Sequence, residues 1–221
     1  MKRKKFGLIT GLLIITCIIS VNAYAQSQEK KSELDKKVEK FLSAESLRWR
    51  DMNVPTVDGK KLYDLIVENN YKSALEIGTS TGHSGIYIAW ALSKTGGKLI
   101  TIDIDEGRHN RAVKNFEEAG LSEYIDARLA DAHTLVKELE GPFDFVFSDA
   151  DKGWYKNYFL DVDPKLVVGG CYTTHNISES SRYGRGGRNQ DYLNFIKSLE
   201  NYETTLYSPG GGLLISYKRA E

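Results

Sequence analysis

Cysteine is scarce in this chain of 221 residues, with only Cys17 and Cys171 present. Cys17 falls inside an N-terminal apolar run, so the rest of the chain holds one thiol and no intrachain disulfide. Cys171 follows Gly169-Gly170 in an apolar stretch and reads as a small buried hydrophobe, not a nucleophile. An excess of charge is missing too. Thirty Lys and Arg balance thirty Asp and Glu, and without a basic stripe there is no electrostatic footprint of a nucleic-acid partner. There is no internal repeat and no low-complexity block, which excludes a solenoid or a biased linker. The glycine-rich turn "LEIGTSTGHSG" lacks the Gly-x-Gly-x-x-Gly spacing of a dinucleotide fold. What is there, 41% hydrophobic residues in a chain of this length, suits one compact domain with a sizeable core.

The first 25 residues stand apart. "MKRKK" is basic, "FGLITGLLIITCIISV" is apolar, and "NAYAQ" contains the small-x-small triplet Ala23-Tyr24-Ala25. That order is the pattern of a secretory signal peptide. The apolar run is short of the ~20 residues of a membrane span. The expectation is a signal peptide over 1–25, cleavage after Ala25, and one exported domain over 26–221, periplasmic or secreted, with no membrane partner of its own. An uncleaved anchor with the domain outside is the alternative. Removing four basic residues and no acids leaves 26 basic against 30 acidic, net −4.

"LDKKVEKFLSAESLRW" spaces its apolar residues as a helix and makes 26–51 an N-terminal helical segment. "NVPTVDG" reads as a loop, with Pro55 and Gly59 as breakers, before the amphipathic "KKLYDLIVENN". Strands and helices then alternate. "SALEI", "KLITIDI", "IDARLA", "FDFVFSD" and "KLVVGGCYTTH" supply strands, each of the first four followed by a helix. Apolar strands alternating with helices predict an α/β fold, a parallel sheet with helices on both faces. After a further helix, "YETTLYS" and "GLLISYKR" flank Pro209-Gly210-Gly211-Gly212 and predict an antiparallel pair closing the sheet edge.

Open α/β sheets bind ligands beyond the carboxyl ends of their strands. The residues there are Glu76 to Ser84, Asp103, Asp131, Asp149 and His175-Asn176. At Gly78 and Gly82 a backbone without Cβ admits a ligand closely. Asp103 ends the second strand, where its two oxygens match the hydroxyls of a ribose. A carboxylate at Glu76, ahead of the first glycine, suits a cofactor with a positive amino group and repels a pyrophosphate.

At this point "LEIGTSTGHSGIYIA" resembles motif I of the class I S-adenosylmethionine-dependent methyltransferases, and more closely the small O-methyltransferases of the catechol and caffeoyl-CoA type. The resemblance covers residues 52 to 218. It implies a Rossmann-like, seven-stranded, mostly parallel sheet with an antiparallel C-terminal strand. It implies S-adenosylmethionine as cofactor, held by Glu76, Gly78, Thr79, Gly82 and Ser84 of motif I. "ITIDIDEGRHNRAVKNFEEAG" supplies Asp103 for the ribose, and "LADAHTLV" supplies Asp131 and Ala132 beside adenine. In "FDFVFSDADKGWYKNYF", Asp149 would border the cofactor and bind a divalent metal, and Lys152 would be the base. The family also implies a small phenolic substrate and a homodimer.

One departure stands out. The family's fifth strand ends in Asp-Asn, both metal ligands, and this chain reads "CYTTHNI". The implied set becomes Asp149, His175 and Asn176. Magnesium prefers hard oxygen ligands, whereas an imidazole suits softer divalent ions. Three readings follow: a softer metal, His175 as a metal-free general base, or loss of catalysis. Trp154, Tyr155 and Tyr158 form either an aromatic wall for a flat substrate or ordinary core. Arg182, Arg185 and Arg188 lie in a Gly/Arg-rich loop that either covers an anionic group or is solvated. The expected function is O-methyl transfer to a catechol-like or other phenolic hydroxyl. The alternative is an exported, non-catalytic binder of a nucleoside or small aromatic on the same scaffold, because S-adenosylmethionine is made in the cytosol.

Overall fold

The computed structural model describes residues 33–44, 52–179 and 187–221, with backbone only for Gly187 and Arg188. Residues 1–32 lie outside it, and so do Arg182 and Arg185 and the side chain of Arg188. Helix α1 (33–44) buries Val38 and Phe41 against α3 and α4. Helix α2 is Thr56–Asn69, followed by β1 (Ser73–Ile77), α3 (His83–Thr95), β2 (Lys98–Asp103) and α4 (Glu106–Ala119). Then come β3 (Ile125–Leu129), α5 (Ala132–Glu138), β4 (Phe143–Ser148), α6 (Tyr155–Val162) and β5 (Leu166–His175). Helix α7 (Gly187–Lys197) leads to β6 (Tyr202–Tyr207) and β7 (Leu213–Lys218). Among the described residues no helix is long and apolar enough to cross a membrane.

One seven-stranded sheet has the order β3-β2-β1-β4-β5-β7-β6. The neighbours among β1 to β5 pair in parallel, and β7 runs antiparallel to both β5 and β6. The expected α/β architecture and its antiparallel closing strand are therefore present. The order reverses between β1 and β4, so the crevice at their carboxyl ends is the topological switch point.

Side-chain alternation sorts the sheet's two faces. Leu75, Ile77 and Val146 pack under α5, α6 and α7 with Val136, Tyr155, Phe159 and Ile196. Ala74, Phe145 and Phe147 pack on the other face with Leu62, Leu65 and Ile66 of α2 and Ile88, Ala91 and Leu92 of α3. Cys171 is fully buried there and free, and burial pushes its thiol pKa up.

The expected loop over 53–59 is corrected. Helix α2 begins at Thr56, with Pro55 as its N-cap. Pro55 stands where the chain has no intrahelical N–H to lose. Gly59 is not a breaker. It lies in the first turn, and a Cβ there would overlap the Tyr87 ring of α3. The missing side chain lets the two helices approach, and it sets Asp58 facing inward, 0% exposed.

Candidate functional site

A cleft of about 350 Å³ opens at the carboxyl ends of the first four strands. That is within the usual range for a small-ligand site. Of the residues expected around the cofactor, Gly78, Thr79, Ser84, Asp103, Asp131, Ala132 and Asp149 line it. Gly78 has φ +101°, and a Cβ on it would stand 2.9 Å from the Asp149 backbone. Glycine here is what lets the ends of β1 and β4 close to form the cleft floor.

Asp103 is fixed by backbone. Its Oδ2 accepts from Ser80 N–H at 2.7 Å and its Oδ1 from Asp105 N–H at 2.9 Å. Each carboxylate oxygen keeps a further lone pair. Ile104, the next residue, is 70% exposed yet lines the cleft, opposite a wall that includes Ala132 and His133. Asp131 caps α5, accepting from His133 N–H at 2.9 Å. The His133 ring lies 3.5 Å from Asp131 and 3.6 Å from Asp151, and it packs on Trp154 at 4.5 Å between ring centroids. Ile104 and His133 were not among the expected site residues. Their signal was position, since each directly follows or nearly follows a strand-end acid.

Two expected cofactor residues do not reach the cleft wall. Gly82, with φ +92°, caps α3, and a Cβ there would strike Phe116 of α4 at 2.6 Å. Its missing side chain serves helix packing. Glu76 has the strand parity of Ala74 and turns toward α3. Its Oε2 accepts from Thr101 at 2.5 Å, and Thr101 in turn contacts Thr79 at 2.5 Å. Burial raises the Glu76 pKa to about 8, against the hydrogen bonds from Ser84 and Thr101 that favour the carboxylate. At neutral pH Glu76 is therefore mostly uncharged, and it braces the turn from beneath.

The aromatic segment after β4 divides. Tyr158 lines the cleft, whereas Tyr155 is core and donates its hydroxyl to the His175 carbonyl at 3.0 Å. Lys152 is exposed in the turn before α6 and borders a second hollow with Trp154, Tyr155 and Asp191.

At the end of β5, His175 is 3% exposed. Its Nδ1 is 3.0 Å from Asp149 Oδ2, and its Nε2 is 2.9 Å from Asp58 Oδ2. Burial pulls its pKa down, but hydrogen bonds to Asp149 and Asp58, with their charges, outweigh that and raise it to about 9. Asp58 Oδ2 also accepts from Gly211 N–H at 2.6 Å. Asn176, at φ +59°, has its Nδ2 3.1 Å from His175 Nδ1.

These contacts test the implied metal set of Asp149, His175 and Asn176. A histidine ligand needs a bare ring nitrogen; here Asp58 faces Nε2, while Asp149 Oδ2 and Asn176 Nδ2 both stand about 3 Å from Nδ1. Among the described residues, no three His, Cys, Asp or Glu side chains are arranged to hold a metal ion.

A family model described as O-methyltransferase matches residues 24–178. Over 112 residues the chain is 40% identical to a catechol O-methyltransferase of Niastella koreensis, spanning 49% of this chain and 50% of that protein. The match therefore spans about half the length of that relative. A flavonoid 3',5'-methyltransferase of Vitis vinifera is 31% identical over 177 residues, covering 77% of this chain and 73% of its own. The O-methyltransferase of Bacillus cereus, solved in complex with SAH, superposes with a TM-score of 0.71 at 24% identity, over 83% of this chain and 91% of that one. The last likeness bears on the fold alone. With a family match over well more than half of its residues, the chain belongs to the O-methyltransferase family.

Proposed function

We propose that this protein transfers the methyl group of S-adenosylmethionine to a hydroxyl of a catechol-like or other phenolic small molecule. The observation that carries this is the β2 lip of the cleft. Asp103 is pre-set by two backbone N–H groups with lone pairs to spare, beside an exposed apolar Ile104. A carboxylate so oriented suits a ribose diol, and Ile104 with Ala132 and His133 offers a slot that a purine would cover. The methionine end would run over Gly78 and Thr79 toward Asp149, leaving Tyr158 as a wall for a flat acceptor.

The step is an in-line displacement. The acceptor oxygen forms a bond to the methyl carbon while the sulfur–methyl bond breaks with its electron pair going to sulfur. The sulfonium becomes a neutral thioether, and the hydroxyl proton leaves to Lys152, which sits in the turn after Asp149. Positive charge disperses in the transition state, so catalysis is chiefly positioning in a dry site. No observation favours a non-catalytic binder.

We also propose export after cleavage at Ala25. The family match starts at residue 24, just past the apolar run. Intact-mass measurement of the exported protein should give a chain beginning at Gln26, and a mass retaining residues 1–25 would favour the anchor. A homodimer, as the resemblance implies, is checked by sedimentation.

Calorimetric titration with S-adenosylmethionine, S-adenosylhomocysteine and NAD tests the cofactor. The first two should bind and NAD should not. Methyl transfer to catechol, followed by mass spectrometry, tests the reaction. Binding without transfer to any phenolic hydroxyl would refute the enzymatic half.

A further inference from the structure

A separate hollow of about 510 Å³ lies between α1, α2 and α3, and it shares no lining residue with the cleft. That volume suits a small organic molecule. Each helix turns one stripe of side chains into it. Asp35 and Glu39 come from α1, Lys60 and Tyr63 from α2, and Tyr87 and Trp90 from α3, at the three- and four-residue spacing that puts side chains on one helix face. The rings adjoin one another. The Tyr63 and Trp90 centroids are 4.8 Å apart with planes inclined at 53°, and Tyr87 follows Trp90 at 6.5 Å and 42°. Trp90 is pinned by its Nε1–H, which donates to Asp35 Oδ1 at 2.6 Å. The neighbouring lysines are already paired, Lys94 with Asp35 and Lys60 with Asp64 at 3.2 Å. Glu39 has no such partner among the described residues, so the hollow holds one carboxylate in excess. Burial raises the Tyr63 pKa, and the charges of Asp35, Asp64 and Glu39 raise it further, which marks the same negative potential at the rings.

We propose that this hollow is a second binding site, distinct from the methyl-transfer cleft, for a small organic ammonium ion. Aromatic faces attract a cation through the ring quadrupole, and Glu39 adds the opposite charge. A neutral aromatic would use the rings but not Glu39. An anion would meet Asp35 and Glu39. A divalent metal needs several oxygen ligands and would find one spare carboxylate, whereas an alkylammonium group needs only apolar surface and one charge.

The test is titration of the full-length protein with choline chloride, against sodium chloride as the ionic control, followed by ¹⁵N–¹H spectra of the indoles. Trp90 is assigned by Trp90→Phe among the three tryptophans. Its indole resonance should shift saturably, whereas that of Trp154, which packs on His133 of the cleft, should not. The shift should persist in S-adenosylhomocysteine. Dimethylbutanol, the neutral carbon isostere of choline, should bind about tenfold more weakly. Tyr63→Leu should weaken choline about tenfold and Glu39→Gln, at an exposed position, about threefold. No saturable shift at Trp90 would overturn the proposal. So would competition by S-adenosylhomocysteine, which would place choline in the cleft, or equal affinity for the isostere. A shift that follows protein concentration instead of choline would give the hollow to a second copy of the chain and also overturn it. Unchanged affinity in folded Tyr63→Leu and Glu39→Gln proteins would remove the hollow as the site. Failure of S-adenosylhomocysteine itself to bind would count against the cofactor reading and leave the choline and variant arms to decide this one.

Discussion

The two ends of the cleft are built differently. At the β2 end, Asp103 is exposed to the cleft and fixed by backbone N–H groups from its own neighbourhood, Ser80 and Asp105. At the β5 end, His175 is buried and fixed by side chains from distant elements, Asp149 and Asp58. The first leaves unused acceptor capacity for a ligand. The second turns both ring nitrogens toward the protein's own side chains. A strand-end position therefore does not by itself make a ligand-binding group. What matters is whether the protein has already satisfied it.

Substitutions should separate the two ends by what they damage. The largest effect is expected at the β5 end, on stability. His175→Ala leaves Asp58 as a buried charge without its partner and should destabilise the protein by roughly 3–5 kcal/mol in chemical denaturation at neutral pH. The pH dependence follows in sign. The folded pKa of His175 is about 9, above the ordinary 6.5, so its contribution is full below pH 6.5 and lost as pH rises through 9. The gap between parent and variant should therefore narrow above pH 9. A constant gap from pH 6 to 10 would mean the ring is not charged in the folded protein.

Gly78→Ala comes next and touches both ends. The φ of +101° and the Asp149 backbone 2.9 Å from the new Cβ predict a loss of about 1–3 kcal/mol of stability, read as a lowered melting temperature. Cofactor affinity should fall with it. A variant as stable as the parent would show that the β1 and β4 ends separate easily.

At the β2 end the damage should fall on binding. Asp103→Ala should cost about 1–3 kcal/mol of S-adenosylmethionine affinity, with a much smaller change in stability. Unchanged affinity in calorimetry would remove Asp103 from the ribose.

Glu76→Gln should be nearly silent near pH 5, the smallest effect of the series there, and its effect should grow as pH rises. Burial raises the Glu76 pKa from 4.5 to about 8. The parent therefore loses stability as pH rises from 4.5 through 8, up to a few kcal/mol at ~1.4 per pKa unit. The glutamine variant should show a flatter profile there, matching the parent near pH 5 and exceeding it at pH 9. Parallel profiles would contradict a neutral Glu76.

The β2 end was largely legible from sequence and the β5 end was not. Gly78, Asp103 and Asp131 follow strands within short local motifs, and their places in the cleft come from the strand–turn–helix pattern alone. The orientation of Glu76 was available in principle. It shares parity with Ala74, so a count along β1 turns it toward α3 rather than the cleft. Asp58 was hidden because Pro55 and Gly59 mark a loop by local rules, whereas Gly59 meets Tyr87 within a helix. That Asp58 meets His175 across 117 residues, under a Pro-Gly-Gly-Gly turn, has no signature in any contiguous window. The histidine in the family's aspartate position was visible, but the group that decides its chemistry was not.

The most direct measurement is the protonation of His175 by ¹⁵N–¹H NMR of the imidazole rings, assigned by His175→Asn among the four histidines of the chain. At pH 7.5 both ring nitrogens should show bound protons, and the cation should disappear with a midpoint near 9. A neutral ring at pH 7.5, with one bare nitrogen, would contradict the raised pKa that Asp149 and Asp58 give His175.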